Sequence, residues 1–142
     1  MARFSVSGLE AAQDELNKLI HIPEEGKKEI LTAMATVAME EQRKEGLAMG
    51  VYDSENEGKH AIDSIGLSKP KITDDGGQIS VTFKGTRKDK NHKKKVRHAE
   101  VMFVNNYGKR GQQPRPFVRS ANAKAEERIQ DAGQTAFDKW TK

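Results

Sequence analysis

The residues of this chain that could carry chemistry are scattered, and their spacing argues against a catalytic centre. Asp53, Glu55 and Glu57, with Gly58 in sixth place, match the opening of a calcium-binding loop, where acidic ligands alternate and a glycine makes the sharp turn. The match ends there, because the twelfth position is Ser64 rather than a bidentate glutamate and the eighth is His60. The segment reads as an exposed acidic loop. His21, His60, His92 and His98 fall in no compact ligand spacing and read as surface histidines. Glu24/Glu25 and Glu40/Glu41 are neighbours on a helical pattern and point apart, while Asp74/Asp75 belong to a turn. There is no GxSxG elbow, no GxxxxGK[ST] phosphate loop, no GxGxxG and no cysteine. The expectation is a protein without enzyme activity, metal or cofactor; a hydrolase using dispersed carboxylates would need a pocket that spacing alone cannot reveal.

The strongest chemical signal is electrostatic. Residues 84–98, KGTRKDKNHKKKVRH, hold Lys84, Arg87, Lys88, Lys90, Lys93, Lys94, Lys95 and Arg97 against the single acid Asp89, a local net charge of +7 in a chain whose total is +4. Such a run attracts phosphates irrespective of base sequence. No aromatic residue interleaves with these cations, so the run itself offers no stacking platform for single strands. It reads as a basic flexible loop that orders against DNA or an acidic protein surface, or stays in solvent.

A second signal is conformational. In NNYGKRGQQPRPFVRSA, residues 105–121, Gly108 and Gly111 supply bends, and Pro114 and Pro116 fix φ while pushing Gln113 and Arg115 towards extended geometry. This stretch should form a short stiff strut joining a strand to a helix. Phe117 is its anchor, flanked by Arg115 and Arg119.

The elements that must position these features follow from periodicity. Phe4 and Val6 suggest an opening strand, and Ser7 to Glu10 has capping-box spacing ahead of a helix with Leu9, Ala12, Leu16, Leu19 and Ile20 on one face. Pro23 ends that helix or begins the next. Glu24 to about Ala48 is helical, with Ile30, Ala33, Met34, Val37 and Ala38 forming the apolar face and Glu40 to Glu45 returning to solvent. A short turn or helix is expected at Lys59 to Asp63. Ile65 to Ile72 and Gln78 to Phe83 form a hairpin turned by Thr73 to Gly77, and a third strand is expected over Ala99 to Asn105. Ser120 to Trp140 is a last helix, repeating Ala121, Ala125, Ile129, Ala132, Ala136 and Phe137. Trp140 closes its apolar face or supplies a subunit contact.

These elements predict a single α+β domain over residues 1–142, with an antiparallel sheet of three to four strands packed against a long N-terminal helix and a C-terminal helix. Leu, Ile, Val and Phe make up only 27 of 142 residues, which suggests a folded unit that gains stability from neighbouring subunits. No apolar run approaches a membrane span or a secretion signal, so a soluble, intracellular or assembled setting is expected.

Taken in order, the motifs resemble the small tail-completion or head-tail joining proteins of tailed bacteriophages and prophages. The resemblance runs through FSVSGLEAAQDELNKL, a long helix, and Gly58 followed by Ala61 or Ile62, Asp63, Ser64 and Ile65. It is carried best by Gly108, Pro114, Pro116, Phe117, Val118, Arg119 and Ala121, a P-x-P-F-hydrophobic-R-x-A element leading into the final helix. Where the family usually has Pro-Val-Asp-Thr-Gly, this chain has VYDSENEG, and its basic loop is longer. The resemblance implies a minor virion structural protein of the neck or connector, without catalysis. It would assemble as a homo-oligomeric ring, a hexamer or larger, between capsid and tail or on the tail-tube end, with DNA through the centre. Implied partners are further copies of the chain, tail-tube and head-connector proteins and DNA contacted without sequence preference, but no membrane. Assembly would occur in the bacterial host cytoplasm and the final location would be the virion. Candidate interface residues are Gly108, Pro114, Arg115, Pro116, Phe117, Arg119 and Trp140. The alternative is a stand-alone, sequence-independent nucleic-acid-binding protein of a mobile element.

Overall fold

The computed structural model describes residues 21–51, 60–74, 76–88 and 95–141. The expected opening strand and leucine-patterned helix lie outside the described residues, as does the acidic segment from Asp53 to Gly58. Helix α1 spans Glu24–Ala48. Pro23, already extended at φ −65°, ψ 162°, leads into it, and Glu24 and Glu25 place negative charge on the positive end of the helix dipole. Its end is closed by Gly50 at φ 75°, where the Val51 amide donates to the Gly46 carbonyl at 2.9 Å.

A 3₁₀ turn at Ala61–Ser64 leads into strand β1, Ile65–Leu67, and the expected hairpin follows as β2 (Lys71–Thr73), β3 (Gly76–Gln78) and β4 (Val81–Phe83). Its two ladders differ in register by one residue: Leu67 pairs with Val81, whereas Lys71 pairs with Gln78. The Ser68 amide donates to the Ser80 carbonyl at 2.8 Å and keeps the β1–β4 register, so Lys69 and Pro70 together oppose Ile79. A proline cannot donate to a ladder, and the bulge falls where this one sits.

Two expectations are corrected beyond this point. Residues 84–98 are not simply a loop: β5 (Thr86–Lys88) and β6 (Lys95–Arg97) pair antiparallel as a two-stranded ribbon. The expected third strand is instead helix α2, His98–Tyr107. Val101 to Val104 is a continuous apolar run that suits either period, and burial of His98, Met102 and Asn106 at spacing four selects the helix. The fold is thus α+β, and the described residues form three separate antiparallel strand pairs in place of one continuous sheet.

Helix α3, Phe117–Thr141, runs antiparallel to α1 and forms the largest contact in the fold. Small residues permit the close approach. A methyl group on Gly26 would come within 2.9 Å of the Trp140 ring, and one on Gly133 within 2.7 Å of Met34 Sδ. Ala121, Ala125 and Ala136 are buried along the same face. The core sits at one end of this pair, where Phe117, Ile62, Met102, Ala61 and Val51 pack together and Phe83 meets Phe117 edge-on at 6.2 Å between ring centroids. Among the described residues, no helix is long and apolar enough to cross a membrane.

The polar end of α1 contradicts its sequence pattern. Glu41, Gln42 and Glu45, expected in solvent, are buried against α3. Lys124 donates to Glu45 Oε1 at 2.6 Å, Ser120 donates to Glu45 Oε2 at 2.8 Å, Arg128 pairs with Glu41, and Gln42 donates to Asn122 at 3.0 Å. Periodicity in one helix cannot reveal that the partner helix will satisfy its polar face. The Lys124 and Ser120 hydrogen bonds hold the Glu45 carboxyl below the ordinary glutamate range. Glu29 is held down in the same direction by hydrogen bonds from Lys139 and Trp140.

Candidate functional site

The conspicuous sequence features converge on α2: the basic ribbon leads into it and the proline strut leaves it. The strut is fastened at several points. Gly108 takes φ 78°, and its amide donates to the Val104 carbonyl at 2.8 Å, ending the helix. A side chain at Gly108 would be strained twice over, since a Cβ there would also lie 2.9 Å from the Gln112 carbonyl oxygen. Lys109 and Gln112 exchange backbone hydrogen bonds, and the Arg115 amide donates to the Asn105 carbonyl at 2.8 Å. The Arg115 guanidinium reaches the Gly50 carbonyl, also at 2.8 Å, tying the strut to the end of α1.

Phe117 then enters the core with 0 % of its surface exposed. The buried side chain of Asn106 accepts the Val118 amide at 3.3 Å, so α2 caps the first turn of α3. Pro114, Pro116 and Arg119 remain exposed. The strut therefore has a fixed inner side and a free outer side. Trp140 lies far along α3, half-buried against α1, with its indole Nε1 donating to Glu29 at 2.8 Å. It serves the helix pair.

The expected cationic cluster is distributed unevenly over the ribbon. Lys84 is committed to structure: its ammonium donates to the Leu67 carbonyl at 2.8 Å, and its own carbonyl accepts from His98 Nδ1 at 2.9 Å. Arg87 pairs in register with Val96 and is half-buried. Thr86 opposes Arg97 and Lys88 opposes Lys95, which places Lys95 and Arg97 on one exposed ribbon face. Arg97 forms two hydrogen bonds to Glu100 on the first turn of α2, at 2.9 and 2.6 Å. Lys90, Lys93 and Lys94 lie outside the described residues.

Two histidines are corrected. His60 and His98 are buried, whereas His21 is exposed and His92 lies outside the described residues. The carbonyl of Lys84 can only accept, so His98 carries its proton on Nδ1, and the ring locks the ribbon base to α2.

Sequence reasoning missed one surface altogether. Phe103 and Tyr107, the former assigned to a strand, stand on the open side of α2 at 63 % and 67 % exposure, their ring centroids 4.7 Å apart. Beside them an open groove of about 350 Å³ is lined by Arg97, Ala99, Glu100, Phe103 and Val104. The signal lay in the spacing of four between Phe103 and Tyr107, visible only once the segment is read as a helix. Among the described residues, no group of three or more acidic or histidine side chains is arranged to hold a metal ion.

The arrangement can do two things chemically: present a fixed strut edge to a protein neighbour, and present ribbon cations to a negatively charged one. Comparison of the chain with family models, with curated proteins and with solved structures gives no match.

Proposed function

We propose that this protein is a virion structural component of a tailed phage or prophage. In this reading it assembles as a ring around the DNA path at the head-tail joint or the tail-tube end and performs no catalysis. The observation that carries the reading is the strut. The residues behind the family resemblance, Gly108 to Arg119, form one fastened unit in which Phe117 is buried, the exposed Arg115 clamps the Gly50 carbonyl, and Pro114, Pro116 and Arg119 stay exposed. A preorganised edge of this kind lowers the ordering cost of a protein interface. Disruption of the gene in its source phage tests the reading. It predicts DNA-filled heads and tails that fail to join, or tails with unfinished ends, and joined infectious particles without the protein would overturn it.

One observation favours the second reading, a sequence-independent nucleic-acid-binding protein. The β5–β6 ribbon is a two-stranded element with Lys95 and Arg97 on one exposed face, and a duplex major groove admits such a ribbon. Within a ring, the same ribbon would face the DNA path or the adjoining subunit.

A further inference from the structure

We infer that the aromatic face of α2, together with the ribbon edge beside it, docks on the outer acidic stripe of α3 in a second copy of this chain. The inference rests on the ring reading above and names the two surfaces that meet.

The first surface is a helix left half-covered. Within one chain α2 packs on the 3₁₀ turn, β4 and β6, and buries His98, Met102 and Asn106. Its opposite side carries Phe103 and Tyr107 into solvent beside an open groove that Glu100 also lines. Two large aromatic rings held side by side in solvent mark an interaction surface. Cations bracket the aromatic pair: Lys95 lies exposed before the helix beside Arg97, which is paired with Glu100 of its own chain, and Lys109 and Arg110 lie exposed after it.

The second surface follows from how α3 spends its charges. Lys124, Arg128 and Lys139 all turn inward to Glu45, Glu41 and Glu29 of α1. Glu126, Glu127, Asp131 and Asp138 are exposed, and none of them has an ion pair among the described residues. Glu127, Asp131 and Asp138 recur at helical spacing, so they form a negative stripe about 16 Å long at ~1.5 Å per residue. The ten residues of α2 span about 15 Å on the same scale. Cations at both ends of one helix therefore match carboxylates spread along the other in sign and in length. A second copy is the partner that brings this stripe, and because the two patches differ, repetition is head-to-tail and closes into a ring when the rotation allows.

Charge reversal with restoration tests the pairing, read by sedimentation velocity of the full chain at roughly 50 mM and 500 mM salt, with circular dichroism to confirm folding. The wild-type chain is expected to self-associate at the lower salt and to weaken at the higher. The pair K95E/R97E, and separately E127K/D131K, should each weaken association by roughly tenfold or more. A chain carrying all four substitutions should recover it. F103S/Y107S, which alters only exposed side chains, should lose association with an unchanged spectrum. A wild-type chain that stays monomeric, reversals without effect, or a fourfold variant that fails to recover each overturns the inference. Rings on tail tubes that ignore these substitutions would overturn the faces while leaving the head-tail reading in place.

Discussion

The strut and the ribbon join α2 at opposite ends and are held by different means. The strut is fixed by the positive φ of Gly108, backbone hydrogen bonds to Val104 and Asn105, the Arg115 clamp on Gly50 and a fully buried Phe117. The ribbon has a three-pair ladder, the His98 bond to Lys84 at its base, and a register that sets two lysine positions opposite one another. One segment places its apolar side chain inside and shows a rigid edge; the other keeps Lys95 and Arg97 outside. The difference separates stability from recognition: substitutions in the strut should unfold the protein, and substitutions in the ribbon should change what it attracts.

The largest expected effect breaks the strut from within. Phe117→Ala removes a ring that fills the core and should cost about 3–5 kcal/mol, measured by urea unfolding. A loss below about 1 kcal/mol would mean that Phe117 does not anchor the fold. Gly108→Ala comes next, at about 1–3 kcal/mol, because the new Cβ meets both a left-handed backbone and the Gln112 carbonyl. Equal stability of the variant would show that the strut can relax.

Acid should sharpen the contrast from the helix pair. The carboxyls of Glu45 and Glu29 titrate below the ordinary glutamate value in the folded chain, chiefly through hydrogen bonds from Lys124 and Lys139 respectively. Their stabilisation is complete above the unfolded value of about 4.3 and is lost as the pH falls through the lower folded values. The melting temperature should therefore drop on acidification below that point, and Lys124→Ala should flatten the drop. A Lys124→Ala chain with an unaltered pH profile would remove Glu45 from this role.

The smallest effect on stability belongs to the ribbon. Lys95→Ala with Arg97→Ala should shift unfolding by no more than about 0.5 kcal/mol. In a filter-binding titration with duplex DNA, the same pair should lower affinity alike for unrelated sequences and reduce the salt slope by about 1–2. Binding that is absent at low salt, or independent of salt, would leave an acidic protein surface as the ribbon's partner.

The two regions also differ in how legible they were. The strut could be read from sequence because proline and glycine act locally: Pro114, Pro116 and Gly108 restrict their own backbone and that of their neighbours. The bounds of α1 were equally plain from Pro23, the helical period and the glycines at its end. The ribbon was hidden because lysine-rich segments resemble solvated loops, and strands of three residues each are too short to show a period of two. Helix α2 was misread since Val101 to Val104 is apolar throughout and carries no period of its own. Glu41 and Glu45 followed the rule for exposed charges until α3 supplied Arg128, Lys124 and Ser120, a pairing across more than seventy residues. The strut's outer residues were legible as candidates, whereas the aromatic pair on α2 depended on a helix that the sequence pattern did not single out.

Electron microscopy of the purified protein, alone and mixed with tail tubes from its source phage, tests the proposed ring at a phage joint. Rings with an open centre wide enough for a DNA duplex, or tube ends capped by such rings, are expected. Particles that remain monomeric alone and leave the tube ends bare would contradict the proposed ring.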